Sequence, residues 1–325
     1  MKYNLILATI LFFLSSCTSE PVFDLPTSQL NFTEIVNWNK EFYFSDREFD
    51  IYRLEGDSLV ACTDRSVVDF KTCNGQVYQL KSSMDSTLVI ISPDKTEHLV
   101  RNKTTLDNKY FKLHLNESCE PLLEYGTVFF KIQEGNFIDY DQAYGFEENL
   151  NPNISDQVGY FSNFVFLTKE PGYLQGGLFQ VFLDDSDKIK LPSDMKVRDF
   201  AIHNHELLIV TGYSETIGEK ELIKSQLMTF DGNELRALDA KIPEGLDISR
   251  IFVSGEGVFV LSETSGFYKL TDNKFQLLIS VNLRESGIGP ESFLVDKDKI
   301  YLTTWQHGLL IFEGQQSEYD LQQIK

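Results

Sequence analysis

The sequence predicts an all-β fold, a β-propeller of seven four-stranded blades, with six or eight blades as the neighbouring alternatives. Three observations carry that expectation. Short β-rich runs come in pairs separated by a turn, the pairs recur at a nearly constant spacing, and no stretch of the chain carries the 3.6-residue apolar period of a long helix. A two-sheet sandwich with coincidental spacing is the competing architecture.

The pairs are clearest at EFYFS (41–45) with DIYRLEG (50–56), at GVFVLS (257–262) with GFYKL (266–270), and at IYLTT (300–304) with GLLIF (308–312). They recur as QVYQL (76–80) with TLVII (87–91), FVFL (164–167) with GLFQV (177–181), and LLIV (207–210) with QLMTF (226–230). PLLEY (121–125) with TVFFK (127–131) is the seventh. The second apolar residue of each leading run falls at Phe42, Val77, Leu123, Val165, Leu208, Val258 and Ile300, about 43 residues apart on average. A propeller blade takes about 40–45 residues. Runs such as VRDFAI (197–202) before a pair, and FQLLI (275–279) or KIKL (188–191) after one, complete four strands per unit. Sheets apolar on both faces cannot stand alone, and a radial arrangement lets each cover the next.

Ahead of the repeats, MKYNLILATILFFLSS has one charge at Lys2, an apolar stretch from Leu5 to Leu14 and then small residues. This is the layout of a secretory leader, too short for a lasting membrane span. Leu14-Ser15-Ser16-Cys17 resembles the lipobox of bacterial lipoproteins. The resemblance implies that Cys17 becomes the acylated first residue of the mature chain, and Thr18 in place of Asp favours the outer membrane. Residues 1–16 then form the signal peptide, 17–30 the lipidated Cys and a polar tether, and 31–325 the propeller. The last two units resemble the blades of regulatory-sensor propellers and of lipoprotein propellers from Bacteroidota-type bacteria, which implies a fold and leaves function open.

The chain has 29 Lys and Arg against 49 Asp and Glu, a net charge of −20, and loss of the leader removes only Lys2. Such a surface repels phosphate backbones, so no nucleic-acid partner is expected. Membrane contact is expected through the lipid anchor alone.

Labelling the strands of a blade A to D from the axis outward puts the B–C and D–A connections on one face and the A–B and C–D connections on the other. The long connections at 142–156, 169–176, 212–224, 240–247 and 282–291 all sort to the B–C/D–A face, while 204–205, 255–256 and 296–298 are tight turns on the opposite face. Insertions gathered on one face of a repeat array mark its binding surface. The residues expected to meet a ligand or partner there are Trp305, His307, Tyr144, Phe146, Tyr173, Tyr213 and Arg284, since rings with a polar edge suit a sugar or a protein anchor. Several of these rings have plugging of the rim between blades as their alternative role.

No G-x-S-x-G elbow, H-E-x-x-H helix, P-loop or G-x-G-x-x-G turn occurs, so no catalytic residue is assigned. His203 and His205 have strand spacing for a shared metal but no visible third ligand. Glu147, Glu148 and Asp156 form a weak Ca²⁺ candidate lacking the spacing of a cation loop. No cofactor is therefore expected. Cys73 and Cys119 fall at A–B turns of adjacent blades and are the expected disulfide if one forms, leaving Cys62 as a buried thiol at the other face. The function expected is a non-enzymatic binding or scaffold module for a glycan or protein. A carbohydrate-active hydrolase or lyase with carboxylates from different blades at the funnel is the alternative.

Overall fold

The computed structural model describes most residues between 23 and 324; the longest stretches outside the description are 1–22, 140–156, 169–177 and 183–196. The described residues fold as antiparallel meanders. Blades 1, 2, 3, 5, 6 and 7 have four strands each and span 32–61, 67–101, 111–139, 197–237, 248–279 and 290–324. Between blades 3 and 5 stands a seventh sheet at 157–182 with three described strands; the fourth, expected at 188–191, lies outside the described residues. All seven hairpins read from the sequence are the B–C hairpins of these units.

The first strands of the units meet one another around the axis. Phe32–Trp38 contacts Val67–Cys73, which contacts Phe111–Leu115, and the series passes through Gln157–Phe161, Val197–His203 and Ile248–Ser254 to Pro290–Asp296 and back to the first. The structure is thus an all-β propeller with a closed ring. The outer strands of blades 2 and 3 also touch through one parallel bridge, Arg101 with Asn136.

Alternation within the strands explains the packing. In blade 7, Phe293 and Val295, with Ile300, Leu302, Leu310 and Phe312, turn toward blade 6 and meet Phe259, Leu261 and Phe267. The rings of Phe267, Phe293 and Phe312 lie 5.4–5.6 Å apart in tilted pairs. Burying each such ring contributes roughly 1.5–3 kcal/mol. Gly266 and Gly308 open the third strands of blades 6 and 7 at φ of 103° and 73°, where an added Cβ would run into the carbonyls of Ile279 and Ile324. Only glycine turns the chain there at that approach.

The ring closes without sharing a strand. Blade 1 comes wholly from 32–61 and blade 7 wholly from 290–324. Phe42 stacks on Tyr301 at 4.2 Å, and Phe32, Ile35 and Phe44 share a core with Leu294, Leu309 and Ile311. The segment before blade 1 adds a strap. Phe23 N–H donates to Ser286 Oγ at 2.9 Å, and Ser28 N–H to the Gln306 carbonyl at 2.6 Å. The Gln323 side-chain amide donates to the carbonyls of Pro26 and His307, both at 2.8 Å. Part of the stretch expected as tether is therefore laid along blade 7.

A second device holds the blades together near the axis. The inner strands of blades 1, 2, 5, 6 and 7 each contain a β-bulge near their start. In four of them the next residue reaches into the following blade. Glu34 pairs with Lys71, Asp69 accepts Leu113 N–H, Asp199 accepts Ile251 N–H, and Arg250 donates to the carbonyls of Pro290 and Glu291. A bulge re-aims its side chain, which is what this crossing needs.

Cys73 and Cys119, both at A–B turns, are joined by a disulfide with Cα atoms 5.7 Å apart, the pair expected from strand order. Cys62 is outside the disulfide and half-buried, less enclosed than expected.

Candidate interaction face

The inner strands begin at the face where the D–A crossovers arrive, and the B–C turns emerge beside them. Of the long connections assigned to this face, 142–156 and 169–176 lie outside the described residues, and with them Tyr144, Phe146, Tyr173 and the acidic group Glu147, Glu148 and Asp156.

The expected loop at 212–224 is instead the continuation of a hairpin. Strands Glu206–Ile217 and Lys220–Phe230 stay paired from Leu207 with Phe230 to Ile217 with Lys220, and Tyr213 sits within the ladder opposite Lys224. Tyr213, Thr216, Ile217 and Ile223 favour extended pairing. The long connection is real, but it is a strand extension, with Tyr213 in its paired part.

The crossover at 280–289, between blades 6 and 7, is compact. Val281, Leu283 and Ile288 are buried in the core between the two blades. Asn282 caps the turn, its side-chain oxygen accepting Glu285 N–H at 3.1 Å and its carbonyl accepting the Ser286 hydroxyl. Alternation leaves Arg284 outward, 47% exposed, with its backbone N–H on the Glu263 carbonyl.

Arg284 belongs to a charge cluster drawn from blades 5 and 6 and the crossovers that follow them. Its guanidinium donates to Asp247 at 2.9 Å and lies 3.7 Å from Glu263. Asp247 is buried and also holds Arg198, whose guanidinium donates to the Ile248 carbonyl at 2.9 Å as well. Arg198 occupies the bulge of the blade 5 inner strand and runs along Gly212, where a Cβ would come within 2.7 Å of its Cδ. Burial lowers the Arg198 guanidinium to about 10, with Glu263 opposing the shift and Arg250 and Arg284 adding to it. It stays charged at neutral pH. With Arg250, this end of the ring gathers three guanidinium groups around two carboxylates in a strongly acidic chain.

Trp305 lies in the B–C turn of blade 7, 49% exposed, with its backbone N–H donating to the Gly289 carbonyl at 3.0 Å. His307 follows two residues later but is 7% exposed. Its N–H donates to Thr304 Oγ1, and its ring lies 3.4 Å from the Pro26 carbonyl under the strap. The structure therefore brings Trp305 and Arg284 to one surface near the strap, while it spends the His307 ring inside the fold.

The opposite face is closed by short turns. Asn204 and His205 take positive φ of 50° and 62° between the first two strands of blade 5, and 255–256 and 297–298 do the same work in blades 6 and 7. His203 Nε2 lies 3.0 Å from the Asn204 amide, and among the described residues no group of three His, Cys, Asp or Glu could hold a metal.

The sequence reading missed the bulge-linked side chains and the Arg198–Asp247 pair. One signal was present: VVDF at 67–70 and VRDF at 197–200 place an aspartate inside an otherwise apolar inner strand.

No family model matches the chain, and no curated protein matches it. Solved structures similar to it include the computationally designed Ika8 protein, 11% identical over 94% of this chain and 90% of that one, TM-score 0.44. Hsv2 of Kluyveromyces lactis is 12% identical over 91% and 98% of the two chains, TM-score 0.43. The Dos1 propeller is 8% identical over 88% and 82%, TM-score 0.39.

Proposed function

We propose that this chain is an exported propeller, acylated at Cys17 and held to the outer membrane, that serves as a non-enzymatic binding or scaffold module for a glycan or protein. The observation that carries the reading is the asymmetry of the two faces. The crossover face exposes Trp305 and Arg284 and carries the Arg198–Asp247 cluster, whereas the described connections of the opposite face are turns of two to five residues. A ring with a polar edge and an anchored guanidinium on one face suit a partner offering a sugar or peptide surface with acceptor groups. The bacterial envelope reading rests on the leader and its resemblance to a lipobox.

The test is affinity capture from native membranes with the full chain and with the double variant Trp305→Ala, Arg284→Ala. The reading expects a captured partner to be lost with the double variant, and Cys17→Ser to abolish acyl labelling without unfolding the chain. Unchanged capture by the double variant defeats the face assignment; retained acyl labelling in Cys17→Ser defeats the anchor.

A further inference from the structure

The two candidate contact residues stand on elements that lie outside the strand ladders. Trp305 is in the three-residue turn between Lys299–Thr304 and Gly308–Gln315, and Arg284 is in the crossover at 280–289. A direct bond, from Trp305 N–H to the Gly289 carbonyl, joins the two elements.

The strap ahead of blade 1 joins them a second time. At one end Phe23 N–H donates to Ser286 Oγ at 2.9 Å, and that hydroxyl in turn donates to the Asn282 carbonyl at 3.1 Å, so the strap grips the turn in which Arg284 sits between those two residues. At the other end Ser28 N–H donates to the Gln306 carbonyl at 2.6 Å, next to Trp305 in the chain. Between the ends, the Gln323 amide ties the Pro26 carbonyl to the His307 carbonyl, each at 2.8 Å. Gly308 passes so close beneath that an added Cβ would lie 3.1 Å from Ser28 Oγ.

Little else holds the strap. Phe23 and Leu25 are half-buried against the core between blades 6 and 7, with the Phe23 ring 6.4 Å from that of Tyr319. Pro26 and Thr27 are exposed, and none of the described residues between 23 and 28 belongs to a strand. Partial burial of two apolar side chains and a few hydrogen bonds stand against the entropy of ordering the segment, so the two sides are close. Segments with that balance open locally while the rest of a fold stays closed.

We infer that the strap at 23–28 is a clamp that holds the Trp305 turn and the Arg284 crossover in one register, so that the interaction face is assembled only while the strap is seated. The inference rests on the reading of the crossover face as the interaction surface and supplies its control. Phe23 is six residues after Cys17, so a pull or a cut at the tether acts on the strap before it acts on any blade. Seated, the strap presents Trp305 and Arg284 together. Released, it leaves the turn and the crossover to move separately.

The test is hydrogen exchange, read by peptide mass, on the purified full-length chain with no partner present. The parent is compared with the double variant Phe23→Ala, Leu25→Ala, which removes the apolar hold, and with Gln323→Ala, which removes the amide bridge from outside the strap. In the double variant, exchange in 23–28, 281–288 and 303–309 is expected to rise together by about tenfold, while 111–125 of blade 3 exchanges as in the parent. Acrylamide quenching of Trp305, measured in a Trp38→Phe background, is expected to rise with it. Gln323→Ala is expected to speed exchange in 23–28 and 303–309 by a smaller factor, and it keeps the test decisive if the double variant does not fold. The inference is overturned if 23–28 exchanges freely while 281–288 and 303–309 keep the parent's protection, or if neither variant speeds exchange of the strap. Partner capture tests the face and exchange tests the clamp, so the two readings fail separately.

Discussion

The Asp199 carboxylate of blade 5 accepts the backbone N–H of Ile251 in blade 6 at 2.8 Å, and its second oxygen accepts its neighbour Phe200 N–H. Asp69 does the same from blade 2, accepting Leu113 N–H of blade 3 at 2.7 Å and Phe70 N–H at 2.8 Å. Both carboxylates are buried and follow a bulge in a V-x-D-F segment. The inner edge of a propeller leaves backbone N–H groups with no next strand, and a side chain from the preceding blade satisfies one at each of these seams.

Asp199→Ala and Asp69→Ala each leave a buried N–H without its acceptor. Each is expected to destabilise the fold by about 1–3 kcal/mol. The two act at separate seams, so their effects are expected to add. Midpoints of urea unfolding for the single and double variants are the check.

The buried pair of His114 and Glu124, 2.6 Å apart, gives a pH dependence. Burial by itself raises the Glu124 carboxyl, but the His114 hydrogen bond and charge, with Lys112 and Lys71 behind them, outweigh it and leave the group below its ordinary value of 4.5. A carboxyl lowered in the fold contributes stability that is present above 4.5 and is lost as pH falls through its folded value. Glu34, raised by burial against the pull of Lys71, works in the opposite direction over acid pH. The comparison is therefore between variants: from pH 6 to pH 3 the parent is expected to lose more stability than Glu124→Gln. An equal loss counts against the pair.

The Cys73–Cys119 bridge ties the A–B turns of blades 2 and 3 across 46 residues. Closing a loop of that length restricts the unfolded chain by up to about 4 kcal/mol. The double variant Cys73→Ala, Cys119→Ala is expected to unfold at a distinctly lower denaturant concentration, and the reduced parent is expected to match it.

The two tryptophans of the chain lie on opposite faces by their place in the strands: Trp38 ends the inner strand of blade 1 at the A–B side, and Trp305 is in a B–C turn. Phe23, held at Ser286 on the crossover face, is six residues after Cys17, a reach of at most about 21 Å. With Cys17 acylated, brominated lipids in reconstituted vesicles are expected to quench Trp305 in Trp38→Phe more than Trp38 in Trp305→Phe. Equal quenching would show that the tether does not set the face nearest the bilayer.

Much of the architecture is local, and local patterns are what a sequence displays. Alternation in GVFVLS (257–262) and IYLTT (300–304), with a glycine opening each partner strand, sets the hairpins; their spacing sets the ring; and strand order brings Cys73 near Cys119. What only the folded ring decided depends on which residues of distant segments meet. The His307 ring is covered because Pro26 crosses above it, and the buried Arg198 is paired because Asp247, from the crossover into the next blade, lies beside it. A hairpin is specified by hydrogen bonds between near neighbours, whereas contacts between blades exist only once loop closure has brought segments tens to hundreds of residues apart together, and single-chain periodicity does not record them.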